Sequence, residues 1–141
     1  MDDPGPDAPP ELLDYIRRGY ELWNDGNLES VAAMWSEDIL WQNDPDWPGQ
    51  KHYHGREAVM GFLRDEVAAV IELGDIEVES IRPFGEELVI KVLARARGTD
   101  SRLDIGKVPV FHVAQVRDGQ ITRIRAFLDE PRALEAAREP G

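Results

Sequence analysis

Residues 108–129 read VPVFHVAQVRDGQITRIRAFLD, two alternating runs on either side of Asp118-Gly119. A two-residue Asp-Gly loop favours a type I′ turn, whose central positions need positive φ, and so joins two strands into a hairpin. Counting outward sets Arg117 opposite Gln120, Val116 opposite Ile121, Ala114 opposite Arg123, His112 opposite Arg125, Val110 opposite Phe127 and Val108 opposite Asp129. Side chains alternate across a strand, so an unbroken register puts His112, Arg125, Phe127 and Asp129 on one face. The other face then carries Phe111, Val113, Ile124, Ala126 and Leu128 and is nearly all apolar. Chemistry is expected on the mixed face. A single bulged residue would rotate His112 away from Arg125 and Asp129.

Outward from the hairpin, the chain changes period. Upstream, Ile76-Val78-Ser80 and Leu88-Ile90-Val92-Ala94-Ala96 alternate as strands joined over 83–87, with a turn at 98–102 and a bulge or bend at Gly106. Before them, 56–73 reads as a helix whose apolar stripe is Val59, Phe62, Leu63, Val67, Val70 and Ile71, ended by Gly74. The segment 44–55, DPDWPGQKHYHG, is a Pro/Gly-rich loop, and 38–43 a short strand. At the front, Leu13, Ile16, Tyr20 and Trp23 share one face of a helix over 11–24. Asp25-Gly26 ends it, and Asn27 caps a second helix over 28–35. Residues 1–10, MDDPGPDAPP, form a disordered tail; Pro131 opens a last helix over 132–138. No repeat or second domain is visible, so 11–141 reads as one domain. Helices set to one side of an antiparallel sheet define an α+β fold. A strongly bent sheet wrapped around the helices, a cone-shaped roll, would leave an internal pocket at its mouth.

Composition narrows the function classes. The chain has 141 residues, a formal charge of −12 and no cysteine. The charge argues against nucleic acid, whose binding depends on Lys and Arg neutralising phosphates, and against an anionic membrane surface. No apolar run approaches the ~20 residues of a membrane helix, and the N-terminus lacks the basic and apolar regions of a signal peptide. A cytoplasmic protein without disulfides or thiol chemistry is expected.

Three stretches, in this order, carry a resemblance: YELWNDGNLESVAAMWSEDILWQND at 20–44, YHGREAVMGFL at 53–63, and VRDGQITRIRAFLD at 116–129 followed by ALEAA. Together they resemble the nuclear transport factor 2-like superfamily and, more narrowly, its SnoaL-like members. That resemblance implies an α+β cone, a pocket between concave sheet and helices, and a homodimer packed through the sheet. It does not fix an activity, since the fold hosts isomerases, cyclases, dehydratases, epoxide hydrolases and non-catalytic adaptors. Asp129, in AFLDEPRALEAA, matches the acid/base aspartate of the polyketide cyclases. The isomerase base falls by spacing on Asn43, with Asp44 one residue on, and the isomerase oxyanion tyrosine near Gly19 rather than Tyr20. Residues 88–97 lack the Arg-x-Asp of the limonene-type epoxide hydrolases. The cyclase branch therefore fits best.

Each candidate has a functional and a structural reading. Asp129 beside apolar residues would be partly desolvated, its pKa raised into a range useful for proton transfer; equally, it could cap the last helix or pair with Arg132. His112 could shuttle protons or donate to a carbonyl, or be a core histidine satisfied by a backbone carbonyl or a hydroxyl. Arg125 could hold an enolate or carboxylate, or pair with a neighbouring acid or snorkel out at the rim. His52 and His54 have His-x-His spacing, but no Cys and no second cluster support a metal site. Trp47 and Tyr53 could cover the pocket mouth, or Tyr53 or His54 could pack over the third helix. Trp41, Asn43, Trp47, His54, Phe62 and Phe127 are the expected substrate contacts. The expected function is cofactor-free cyclisation, isomerisation or dehydration of a small apolar carbonyl compound by Asp129, His112 and Arg125. The alternatives are a non-catalytic ligand-binding module and a protein-interaction domain.

Overall fold

The computed structural model describes residues 10–46, 50–67, 71–96 and 108–138. Residues 1–9 of the proposed 1–10 tail, Trp47, Val70, the 98–102 turn and Gly106 lie outside the described residues, while Pro10 belongs to the first helix rather than to a tail. Helix α1 (Pro10–Asn24) and the short α2 (Leu28–Ala32) come first, the latter capped as its sequence suggests, Asn27 Oδ1 accepting from Ser30 N at 3.2 Å. Strand β1 (Trp35–Gln42) and β2 (His52–His54) lead to α3 (Arg56–Phe62), which continues as a π-helical turn, Leu63–Val67. The long strands β3 (Ile71–Phe84), β4 (Glu87–Ala96), β5 (Val108–Arg117) and β6 (Gln120–Phe127) follow, and α4 (Glu130–Arg138) closes the described chain. No helix among the described residues is long and apolar enough to cross a membrane.

The strands form one curved, open sheet in the order β2-β1-β6-β5-β4-β3. Four of its seams are antiparallel; β1 runs parallel to β6. The concave side carries the main core. Ile16 and Trp23 of α1, and Val59 and Phe62 of α3, pack there against Ile90 and Val92 of β4, Ala114 of β5 and Ile124 of β6. The convex side has its own small core, in which Ala133 and Ala137 of α4 cover Val89, Phe111 and Val113. Part of the apolar outer face expected to meet a second copy is thus covered by the chain's own last helix.

The hairpin departs from the simple count at one place. Asp118 and Gly119 do turn with positive φ, 53° and 78°, and Arg117–Gln120 and Val116–Ile121 pair as expected. The register then shifts, with Gln115 opposite Arg123, Ala114 opposite Ile124, Val113 opposite Arg125, His112 opposite Ala126 and Phe111 opposite Phe127. Thr122 is the extra residue, a bulge that moves every later β6 side chain to the opposite face. Ile124, Ala126 and Leu128 therefore face inward with His112, while Arg123, Arg125 and Phe127 face outward.

Three other expectations are corrected. Trp35 belongs to β1, not to the second helix, because it pairs with Ile121 of β6. The 44–55 loop contains β2, whose residues 52–54 pair with 40–42 of β1. The third helix is shorter than its apolar stripe, since Ile71 already pairs with Ala96 of β4 and Gly74 lies within β3. Val59, Phe62, Leu63 and Val67 remain buried all the same. Sheet pairing overrides helical periodicity at Ile71.

Candidate functional site

Between the concave sheet and α1–α3 lies a cavity of about 260 Å³. Its wall is overwhelmingly aliphatic and aromatic: Ile16 and Trp23 from α1, Trp41 from β1, Phe62 from α3, Ile90 and Val92 from β4, and Val110 and Ala114 from β5 all contribute. Four residues besides the tryptophans bring polar side-chain atoms to it: Tyr20, His112, Asn43 and Asp44. What each of these is doing decides what the cavity can do.

Tyr20 lies on the face of α1 that packs on the sheet, four residues after Ile16 and three before Trp23, and so points where the helix is driest. His112 lies on β5 between Val110 and Ala114 on the same inward face. Tyr20 Oη and His112 Nδ1 are 2.7 Å apart and hydrogen-bonded, the donor depending on the imidazole tautomer. The two ring planes are nearly parallel, 8° apart, and the Trp41 ring meets the imidazole edge-on at 5.5 Å. His112 Nε2 makes no hydrogen bond among the described residues. Burial disfavours charge on both groups. It lowers His112 to about 4 and raises Tyr20 above its ordinary value. At neutral pH the pair is uncharged, and each tautomer leaves one donor and one acceptor for a guest.

The other two polar groups are occupied. Asn43 Oδ1 accepts from Trp41 Nε1 at 2.8 Å and its Nδ2 donates to Gln50 O at 3.1 Å, which fixes the Trp41 ring on the wall. Asp44 is 2% exposed. Its Oδ1 accepts from Asp46 N at 2.8 Å and Arg132 Nη1 at 3.0 Å, and its Oδ2 from Leu128 N at 3.0 Å. Burial alone would push this carboxyl up; the two backbone N–H groups and the Arg132 guanidinium outweigh it and hold the pKa below the ordinary value. Asp44 is thus an ionised tie between the cavity wall, the end of β6 and α4, rather than a free base.

Of the residues expected from sequence, His112, Trp41, Asn43 and Phe62 come together at this cavity. Arg125 and Asp129 do not join them. Arg125 faces the convex side, where Nη2 donates to Glu87 Oε1 and to Ala136 O, both at 3.0 Å. Glu87 Oε1 also accepts from Arg123 at 2.7 Å. Burial and neighbouring Arg123 pull the Arg125 guanidinium down from its usual value, with Glu87 acting the other way. Asp129 is exposed and caps α4, its Oδ1 accepting from Arg132 N at 3.3 Å and its carbonyl from Ala133 N at 3.2 Å. Phe127 packs on the convex core. His54 is exposed on β2 and away from the cavity wall, as is His52. Among the described residues no group of His, Cys, Asp or Glu is placed to hold a metal ion. Tyr53 stacks on Phe62 at 4.5 Å and donates to Glu66, and so packs over the end of α3.

Sequence reasoning missed Tyr20 as a site residue. The signal was available: a tyrosine on the buried stripe of α1 needs a partner for its hydroxyl, and His112 is a mid-strand group able to supply one.

Known proteins share this fold. The chain matches the SnoaL-like domain over residues 16–124. No functionally curated protein matches it. A protein of ketosteroid isomerase-like fold from Catenulispora acidiphila, solved in complex with trimethylamine, shares 17% identity at TM-score 0.64, covering 85% of this chain and 86% of its own. TerC, co-crystallised with polyporic acid, shares 17% at TM-score 0.65, covering 89% and 96%. A de novo designed protein with a curved β-sheet shares 20% at TM-score 0.66, covering 94% and 96%. At these identities the likeness is one of fold. Taken with the domain match, it makes this chain a member of the SnoaL-like family within the nuclear transport factor 2-like superfamily.

Proposed function

We propose that the protein performs acid/base chemistry on an apolar carbonyl compound bound in the concave cavity, with Tyr20 and His112 handling the proton. One observation carries this reading: an uncharged, hydrogen-bonded Tyr–His pair sits on an otherwise apolar wall, with Nε2 unengaged among the described residues. In the tautomer where His112 Nδ1–H donates to Tyr20 Oη, the hydroxyl hydrogen is free to donate to a substrate carbonyl oxygen, and Nε2 holds a free lone pair. Nε2 can then take a proton from the carbon next to that carbonyl. The C–H electron pair moves to form the enolate, whose oxygen Tyr20 stabilises. Return of the proton from Nε2 to a different carbon gives isomerisation; expulsion of a β-hydroxyl, which takes that proton and leaves as water, gives dehydration; attack of the enolate carbon on a second carbonyl, whose oxygen takes the proton, gives cyclisation.

The test works without the natural substrate in hand. Small cyclic ketones incubated with the protein in deuterium oxide should exchange their α-hydrogens faster than in buffer, as read by NMR. His112→Ala should lower that rate by about 10²-fold or more, the usual contribution of a positioned general base. Ketones that bind saturably but exchange no faster than in buffer would overturn the catalytic role and leave a binding module. That second reading has one observation of its own: Asp44, the carboxylate on the wall, is held by three donors and cannot serve as a stronger base.

A further inference from the structure

We infer that the ligand is an uncharged amphiphile longer than the cavity, its polar end inserted first against Tyr20–His112 and its apolar end lying across Val108 and Leu128 at the mouth. The inference rests on reading the cavity as a ligand site and adds the class and orientation of what fills it.

Among the described residues the large apolar side chains left exposed are Val108, at 38%, and Leu128, at 51%. Singly, exposed aliphatic residues mean little. Here both also stand on the cavity wall, one at the start of β5 and the other just past the end of β6. They continue the apolar lining of the cavity outward into solvent. Val108, Val110 and His112 follow one another on the inward face of β5, so the mouth and the imidazole are about 13 Å apart at ~3.3 Å per residue. The cavity volume, about 260 Å³, lies just below the ~300–1,000 Å³ usual for small-molecule sites. A molecule that reaches the polar pair and also covers the solvent-exposed sides of Val108 and Leu128 extends past the mouth.

The polar end carries no charge because the charged groups near the cavity are already paired, the wall's carboxylate Asp44 with Arg132 included. Arg123 and Arg125 face the convex side with Glu87. Arg132, which reaches the wall from α4, is bound by Asp44 and Asp46. An anionic head would instead meet the Asp44 carboxylate, inside a chain of formal charge −12.

Linear methyl ketones from hexanone to tetradecanone, titrated against the intact protein and read by tryptophan fluorescence, test this. Affinity should rise about threefold to fourfold for each added methylene that becomes buried, and keep rising in the longest members. Leu128→Asn, at a half-exposed position, should weaken binding progressively with chain length, reaching about tenfold for tetradecanone. His112→Ala should weaken all members alike. Fatty acid carboxylates of matched length should bind far more weakly. Affinity that levels off at the middle of the series and ignores Leu128→Asn, or carboxylates that bind as well as ketones, would overturn this inference alone. Ketones that bind at no length, or that ignore His112→Ala, would overturn it together with the reading of the site.

Discussion

The two faces of the β5–β6 hairpin, built from the same two strands, deal with ionisable groups in opposite ways. On the concave face His112 stands among apolar residues with a phenol as its partner, and desolvation brings it to about 4, so it is uncharged at neutral pH. On the convex face the Arg123 and Arg125 side chains are also largely out of water, 16% and 10% exposed, and Glu87 lies between the two guanidinium groups as their counter-charge. Each face is thereby suited to a different kind of occupant. A neutral pair with spare hydrogen-bonding capacity suits a guest that comes and goes. A buried charge cluster, with Ala136 O as a further acceptor, suits a permanent partner, and the helix α4 is that partner.

Removing the anion of the cluster tests this contrast with the largest expected effect. Glu87 is 1% exposed, so Glu87→Ala leaves two guanidinium groups buried without their counter-charge and should cost about 3–5 kcal/mol of folding stability. Urea denaturation measures it. If the variant does not fold, Glu87→Gln, which keeps the shape and one acceptor, should fold with a smaller loss. Exchanging all three residues for apolar ones of similar volume should recover most of the stability. A loss below about 1 kcal/mol for Glu87→Ala would mean that the charges do not hold α4 to the sheet.

Much of this arrangement was legible in the sequence, and the part that was not has a physical cause. The Asp-Gly turn, the caps and the alternating strands are local signals, and they placed the hairpin, α1, β4 and the order of elements. Which face of β6 looks inward depended on one residue. Its apolar positions run Ile121, then Ile124, Ala126 and Leu128, a change of phase that marks an extra residue between the first and second. Counting from the turn alone passed over it and set Arg125 and Asp129 beside His112. The short α3 and the added β2 were hidden for another reason: pairing with a distant strand decided them, and no local pattern reports that. Asp129 capping α4 was one of its sequence readings, and Arg125 pairing with an acid was one of those for that residue.

A second test concerns the concave side. His112 has a folded value of about 4 against an ordinary 6.5, so between these values the unfolded chain binds more protons than the folded one. Folding stability attributable to this group is therefore constant above about pH 6.5 and declines as pH falls from there to about 4. His112→Phe should remove that slope, so that the stability difference between wild type and variant changes across this window and is flat above it. Denaturant titrations at several pH values show it. The imidazole C–H proton shifts should show no midpoint above about pH 5; a midpoint near the ordinary value of about 6.5 would place the ring in water rather than in the cavity wall.

The smallest effect is expected where the two faces meet. Arg132 projects from α4 and grips Asp44 on the cavity wall, but it is 46% exposed at its side chain, and water screens much of the attraction. Arg132→Ala should therefore destabilise less than Glu87→Ala. Its signature should appear on the acid side instead. Asp44 has a lowered pKa, so the stability it contributes is present above the ordinary carboxylate value and lost as pH falls through its own. Removing the guanidinium narrows that gap and should flatten the acid-side loss. A double-mutant cycle with Asp44→Asn separates this pair from the two backbone donors, which remain in Arg132→Ala. A coupling within error of zero would leave the Asp46 and Leu128 N–H groups as the whole of the tie. A clear coupling, together with weaker ketone binding in Arg132→Ala, would show that α4 helps set the cavity mouth from the far side of the sheet.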